Sequence, residues 1–168
     1  MQKPLKLANI SLFALVISFT ILLGGGNYEA INVTHKVASA PPHSLSMMQG
    51  PYGFFPVVFW IIFHPLTELL FVLSLIFNWR IPHRRTLLLV AFAGTIVLRV
   101  VTMLYFAPET EVITGVPYAE TVDTGIMARA QRWENWNYLR LAGYYAVAII
   151  LLFAVNRSSA IPQDSTTK

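Results

Sequence analysis

The sequence has no cysteine and little charge. Its 168 residues hold 12 Lys and Arg against 8 Asp and Glu, so charged side chains make up only 12%. Without cysteine there are no disulfides, no thiolate metal ligands and no thiol nucleophile. The shortage of charge excludes an ordinary soluble domain, in which roughly 25% of residues are charged. The net charge of +4 is not gathered into one patch, so no nucleic-acid partner is expected. No HExxH or duplicated ExxH pattern occurs, which weighs against a helix-borne metal site. No internal repeat is visible either.

Apolar sequence is what the chain has in abundance. It is 55% hydrophobic with a mean hydropathy of +0.57. Four stretches approach the ~20 apolar residues that a bilayer core requires. They predict spans at about residues 7–26, 54–77, 86–106 and 136–155, followed by a polar C-terminal tail at 158–168. The expected fold is therefore all-α, an integral membrane four-helix bundle in contact with lipid. The first stretch reads as an uncleaved helix, because it exceeds a signal core and no A-x-A-like site follows.

Positive charge sets the expected orientation. Lys3, Lys6, Arg80, Arg84, Arg85 and Arg157 share one side, whereas Lys36, Arg129 and Arg132 are offset by acidic residues on the other. A multi-pass protein with both termini cytoplasmic follows, with Arg84 in a topogenic turn that touches anionic lipid. Two long connections then face outward. The first carries Ala40-Pro41-Pro42, which predicts a polyproline-like extended piece. It also carries Asn32-Val33-Thr34, a glycosylation acceptor pattern. Gly24-Gly25-Gly26 predicts close helix packing.

Ionisable residues inside spans cost roughly 2.5–3.5 kcal/mol each on insertion scales, so they mark function or pairing. His64 and Glu68 are four apart and share a face with Trp60 and Phe71, beside Pro65. On the next span Thr95, Arg99 and Thr102 share a face. On the last, Trp133, Asn137, Arg140 and Tyr144 form a stripe. On the first, Ser18, Gly25, Glu29 and Asn32 do so. At 1.5 Å per residue, His64 lies about 13 Å and Arg99 about 10 Å below the outer side. The four polar faces should therefore meet in the outer half, while the inner half offers little beyond serine and threonine.

The candidate catalytic set is His64, Glu68, Arg99 and Arg140. His64 would act as general base, tuned by burial and by Glu68, and the arginines would stabilise an enolate or phenolate. Trp60, Trp133 and Tyr144 would flank a flat ring, with Thr102, Asn137 and Glu29 completing a substrate pocket. Plainer readings stand beside these: a Glu68–Arg99 pair that fixes helix register, a His64 satisfied by a carbonyl, and Trp133 and Trp136 as interface anchors. His64, Glu68 and His35 or Glu29 are also the right residue types for a metal.

The order of features resembles the DUF1772 group of small four-helix membrane proteins, which includes the fungal anthrone oxygenase-like proteins. The resemblance rests on Gly24-Gly25-Gly26-Asn27-Tyr28-Glu29 closing the first helix and on Ala40-Pro41-Pro42 in the loop. Thr102 and Pro108-Glu109-Thr110 after the third span, and Trp133, Asn137 and Arg140 opening the fourth helix, complete it. It covers nearly the whole chain through short motifs, and Asn137 stands where the pattern often has histidine. It implies oxygenation of anthrones or polycyclic phenols without a known organic cofactor.

The leading expectation is a membrane protein with a buried polar pocket for a small apolar or aromatic molecule, acting as an anthrone oxygenase-like oxidoreductase. Two alternatives stay open: a non-catalytic accessory subunit or small transporter, and a metal or haem carrier using His64. The sequence assigns no cofactor and no oligomeric state.

Overall fold

Apolar residues dominate the exterior of this molecule, and polar ones are drawn inside. Ile10, Ile17, Ile61, Val97 and Leu104 are more than half exposed, whereas Ser74, Asn78, Arg84 and Thr95 are buried. The computed structural model describes residues 2–54 and 56–157, with side chains from residue 5 onward. The polar tail expected at 158–168 lies outside the described residues.

The chain forms α1 (Gln2–Glu29), a π-helical turn Ala30–Thr34, α2 (His35–Ser39) and a short 3-10 turn at His43–Met48. There follow α3 (Val57–Asn78), α4 (Pro82–Val101), a second π turn Thr102–Phe106, α5 (Ala107–Thr114) and α6 (Thr124–Asn156). No strand occurs among the described residues. Backbone torsions stay helical through both π turns, so α1–α2 and α4–α5 are continuous rods. Four helical runs are long and apolar enough to cross a membrane: Leu5–Ser39, Val57–Asn78, Pro82–Thr114 and Thr124–Asn156.

Consecutive rods pack side by side in the ring order α1, α3, α4, α6 and back to α1. One end carries the tight α3–α4 turn and the outer ends of α1 and α6; it is called the short-turn end. The other carries the two longer connections, the long-loop end.

The helices run well past the apolar stretches. Residues 33–39, 107–114 and 124–131 read in sequence as connections and are helical instead. Their polar faces conceal a second apolar stripe. Val33, Val37, Leu45, Phe106, Ile113 and Trp133 pack into a separate core at the long-loop end. Asp123 starts α6 by accepting hydrogen bonds from the N–H groups of Gly125 and Ile126 at 2.8 and 3.0 Å. The main core lies nearer the short-turn end, where Leu15, Phe19, Phe71, Leu88 and Leu151 interlock. Phe19 meets Phe71 edge-to-face at 6.2 Å and Tyr144 at 6.1 Å.

Three details differ from expectation. Pro41 and Pro42 are buried, and Pro42 has αR torsions that start the 3-10 turn, so the segment is a packed corner and not an extended piece. Its carbonyl at Pro41 accepts from the Asp123 N–H at 3.0 Å, tying the two connections together. Asn32-Val33-Thr34 sits in a π turn of a continuous helical rod and not in an outward loop, with Thr34 fully buried and Asn32 exposed. Close helix packing is confined to part of the glycine run. A Cβ on Gly25 would clash with the Phe59 ring, while Gly24 faces open space.

The largest correction concerns the short-turn end. Arg84 is buried rather than lipid-facing, at 6% exposure. Its Nε donates to the Arg157 carbonyl at 3.0 Å, and its Nη1 to the Oδ1 atoms of Asn9 at 2.6 Å and Asn78 at 3.3 Å. Asn78 in turn donates to the Ala8 and Ser74 carbonyls. This half of the bundle thus holds a buried polar knot. Asparagines near apolar-run ends read as boundary residues in sequence, and only the packing of all four helix ends reveals it.

Candidate functional site

Between the two cores the helices leave a cavity of about 400 Å³. Leu22 and Tyr144 belong both to the main core and to the cavity lining, so they form its floor. Phe106 and Trp133 belong to the second core and also line it, as its roof. The gap lies at the height of the two π turns. A π turn admits an extra residue and locally displaces the helix wall, a feature frequent at functional sites.

Two α6 side chains hold both turns in place. Asn137 Nδ2 donates to Thr34 Oγ1 at 3.4 Å, on the last residue of the first π turn. Arg140 Nη1 donates to Thr102 Oγ1 at 3.1 Å, on the first residue of the second. Arg140 Nη2 also donates to Asn137 Oδ1 at 2.5 Å, and the guanidinium lies 4.1 Å over the Phe106 ring. Neither Thr34 nor Phe106 is among the site residues read from sequence. The i+4 spacing of Phe106 from Thr102 was the available signal for one of them.

Most of the candidate residues converge on this cavity. From α3 come Trp60 and His64, from the α4 rod Arg99 and Thr102, and from α1 Glu29. The α6 stripe of Trp133, Asn137, Arg140 and Tyr144 lines it in full. Glu68 does not. It reaches the site only through Arg99, whose Nε lies 3.4 Å from Glu68 Oε1. The expected Glu68–Arg99 pair is thus present, and it bridges α3 to α4.

His64 differs from expectation in its partner. The imidazole is buried and stacks on Trp60, ring centroids 5.3 Å apart and 28° between planes. It makes no hydrogen bond to Glu68, whose carboxylate is turned to Arg99; the charges facing His64 are those of Arg99 and Arg140. Pro65 beside it faces outward, and α3 continues unbroken through that residue.

Two polar groups in this region are left over. Trp133 Nε1 is buried without a hydrogen-bond partner among the described residues, and Glu68 Oε1 has none beyond its ion contact with Arg99. A buried indole N–H without an acceptor costs about 1–3 kcal/mol. Trp136, by contrast, is half exposed on the outer surface.

The metal reading finds no ligand set. Among the described residues no three His, Cys, Asp or Glu side chains are close enough to hold an ion. His35 is exposed and hydrogen-bonds Glu134 at 3.0 Å. In the loops above, Tyr118 donates to Glu120 at 2.9 Å, and that bond pushes its phenol pKa above the ordinary value.

No family model matches the chain, and neither a curated protein nor a solved structure shows significant similarity to it.

Proposed function

We propose that this chain is a multi-pass membrane protein whose cavity, in the outer half of the bilayer, binds a small and largely apolar molecule built on a flat ring, with His64 as a base toward it. The cavity between two finished cores, walled by the rings of Trp60 and Tyr144 and by His64 and Arg99, is the observation that carries this reading. A bundle whose polar residues served only packing would close over them.

The apolar exterior and buried polar groups are the arrangement that lipid rewards. Lys6, Arg80, Arg85 and Arg157 cluster at the short-turn end, which supports a cytoplasmic position for both termini. Because the chain has no cysteine, the orientation is directly testable. Single substitutions Ser46→Cys and His83→Cys should react with an impermeant maleimide from opposite sides of oriented vesicles. Reaction of both from one side would overturn the topology.

The resemblance to anthrone oxygenase-like proteins suggests the chemistry. In an anthrone a ring-activated CH2 lies opposite a carbonyl. His64 would remove one proton, and the resulting enolate oxygen would be held by Arg99, which makes no hydrogen bond to a described side chain beyond its ion contact with Glu68. With dioxygen as oxidant the CH2 becomes a carbonyl and one water is released. Trp60 and Tyr144 supply flat surfaces for the rings.

The test uses 1,8-dihydroxyanthrone and protein in lipid nanodiscs, read by equilibrium dialysis. Binding should be saturable above the partition into empty nanodiscs. Trp60→Leu should weaken it about 5–10-fold, the worth of one aromatic ring contact. Partition identical to that of empty nanodiscs would remove the reading and leave a purely structural role for the polar residues.

A further inference from the structure

We infer that the cavity is filled from the side, out of the outer lipid leaflet, through a slit between the start of α3 and the α4–α5 rod, so that its ligand is a membrane-dissolved amphiphile. This rests on the ligand-binding reading above and adds the route and the class of molecule.

The slit arises from unequal helix lengths. Three rods continue toward the long-loop end as α2, α5 and the first turns of α6, and these build the second core. Helix α3 begins only at Val57 and gives that core no residue. Nothing from α3 therefore closes the wall opposite α5.

The rim identifies itself by residues that border the cavity and the exterior together. Val57 and Ile61 on α3 and Met103 on the second π turn all line the cavity. They are nevertheless 53%, 65% and 51% exposed. All three are apolar, and Ile61 lies one turn inside α3, about 6 Å along its axis. An opening framed by such side chains suits acyl chains better than water. The α5 side of the rim carries Thr110, Glu111 and Thr114 toward the loops. That gradient fits a molecule whose ring travels in the acyl region with its oxygens toward the interface. Below the slit, the Glu68–Arg99 contact of 3.4 Å ties α3 to α4 and ends the opening.

The experiment needs no ligand. Leu141 lines the cavity on α6, and the cysteine-free chain makes Leu141→Cys a single reporter. In nanodiscs, bilayer-dissolved N-phenylmaleimide should modify that thiol at least about tenfold faster than a sulfonated, water-confined maleimide, since charge is excluded from the acyl region. Adding Ile61→Trp, or separately Met103→Trp, should slow the apolar reagent about tenfold by filling the slit. Melting temperatures near that of Leu141→Cys alone would show that both bulky variants fold. Faster reaction with the sulfonated reagent, or rates untouched by both tryptophans, would overturn lateral entry. Should dihydroxyanthrone fail to bind saturably while labelling follows this pattern, the slit stands and only the anthrone reading falls.

Discussion

His64→Ala yields a protein that folds and binds dihydroxyanthrone much as the parent does but turns it over about 10²–10⁴-fold more slowly, the usual worth of a positioned base. Folding is spared because the imidazole borders a cavity and makes no hydrogen bond to a described residue. Its principal side-chain contact is the stack on Trp60 at 5.3 Å. Removing it enlarges a space that is already open and leaves no buried partner stranded. Binding is spared because Trp60 and Tyr144, the ring platform, remain. Dioxygen uptake and quinone absorbance give the rate, and dialysis gives the affinity. Added imidazole, small enough for the vacated space, should restore part of the rate. An unchanged rate in His64→Ala would reduce His64 to a wall residue.

Arg84→Ala carries the largest expected loss of stability, about 2–4 kcal/mol for three hydrogen bonds to a buried cation. Its guanidinium joins α1 through Asn9, α3 through Asn78 and the end of α6 through the Arg157 carbonyl, while its own backbone belongs to α4. No carboxylate pairs with it among the described residues. The compensating charge is the negative end of the α6 dipole together with two amide oxygens. Arg84→Lys should recover only a fraction, because an ammonium cannot reproduce the planar fork that serves three acceptors. Thermal unfolding in mild detergent measures both variants. A loss under about 0.5 kcal/mol in Arg84→Ala would return the residue to the surface role that its position in a basic turn first implied.

Apolar run length alone marks out the four long helical rods, because a helix long and apolar enough to cross a bilayer needs about twenty such residues in a row. Helical spacing alone also put Trp133, Asn137, Arg140 and Tyr144 on one face, and Thr95, Arg99 and Thr102 on another. The sequence could not place the helix ends. Residues 107–114 and 124–131 look polar in sequence, and they are helical because a second core at the long-loop end pays for their backbone.

Pairing was legible only in part. Glu68 and Arg99 were the two opposite charges at compatible depth, and they meet at 3.4 Å. That contact takes Glu68 away from His64, a competition between neighbours on two helices that spacing along one helix cannot register. The burial of Arg84 needed the ends of all four rods in place, since its acceptors come from positions 9, 78 and 157. The cavity itself is a tertiary property. It exists because α1 and α4 each carry a π turn at one height, because Asn137 and Arg140 staple those turns to α6, and because α3 stops short of the second core. Each residue's type and face are fixed locally by the chain, whereas empty space is fixed only by where packed surfaces fail to meet.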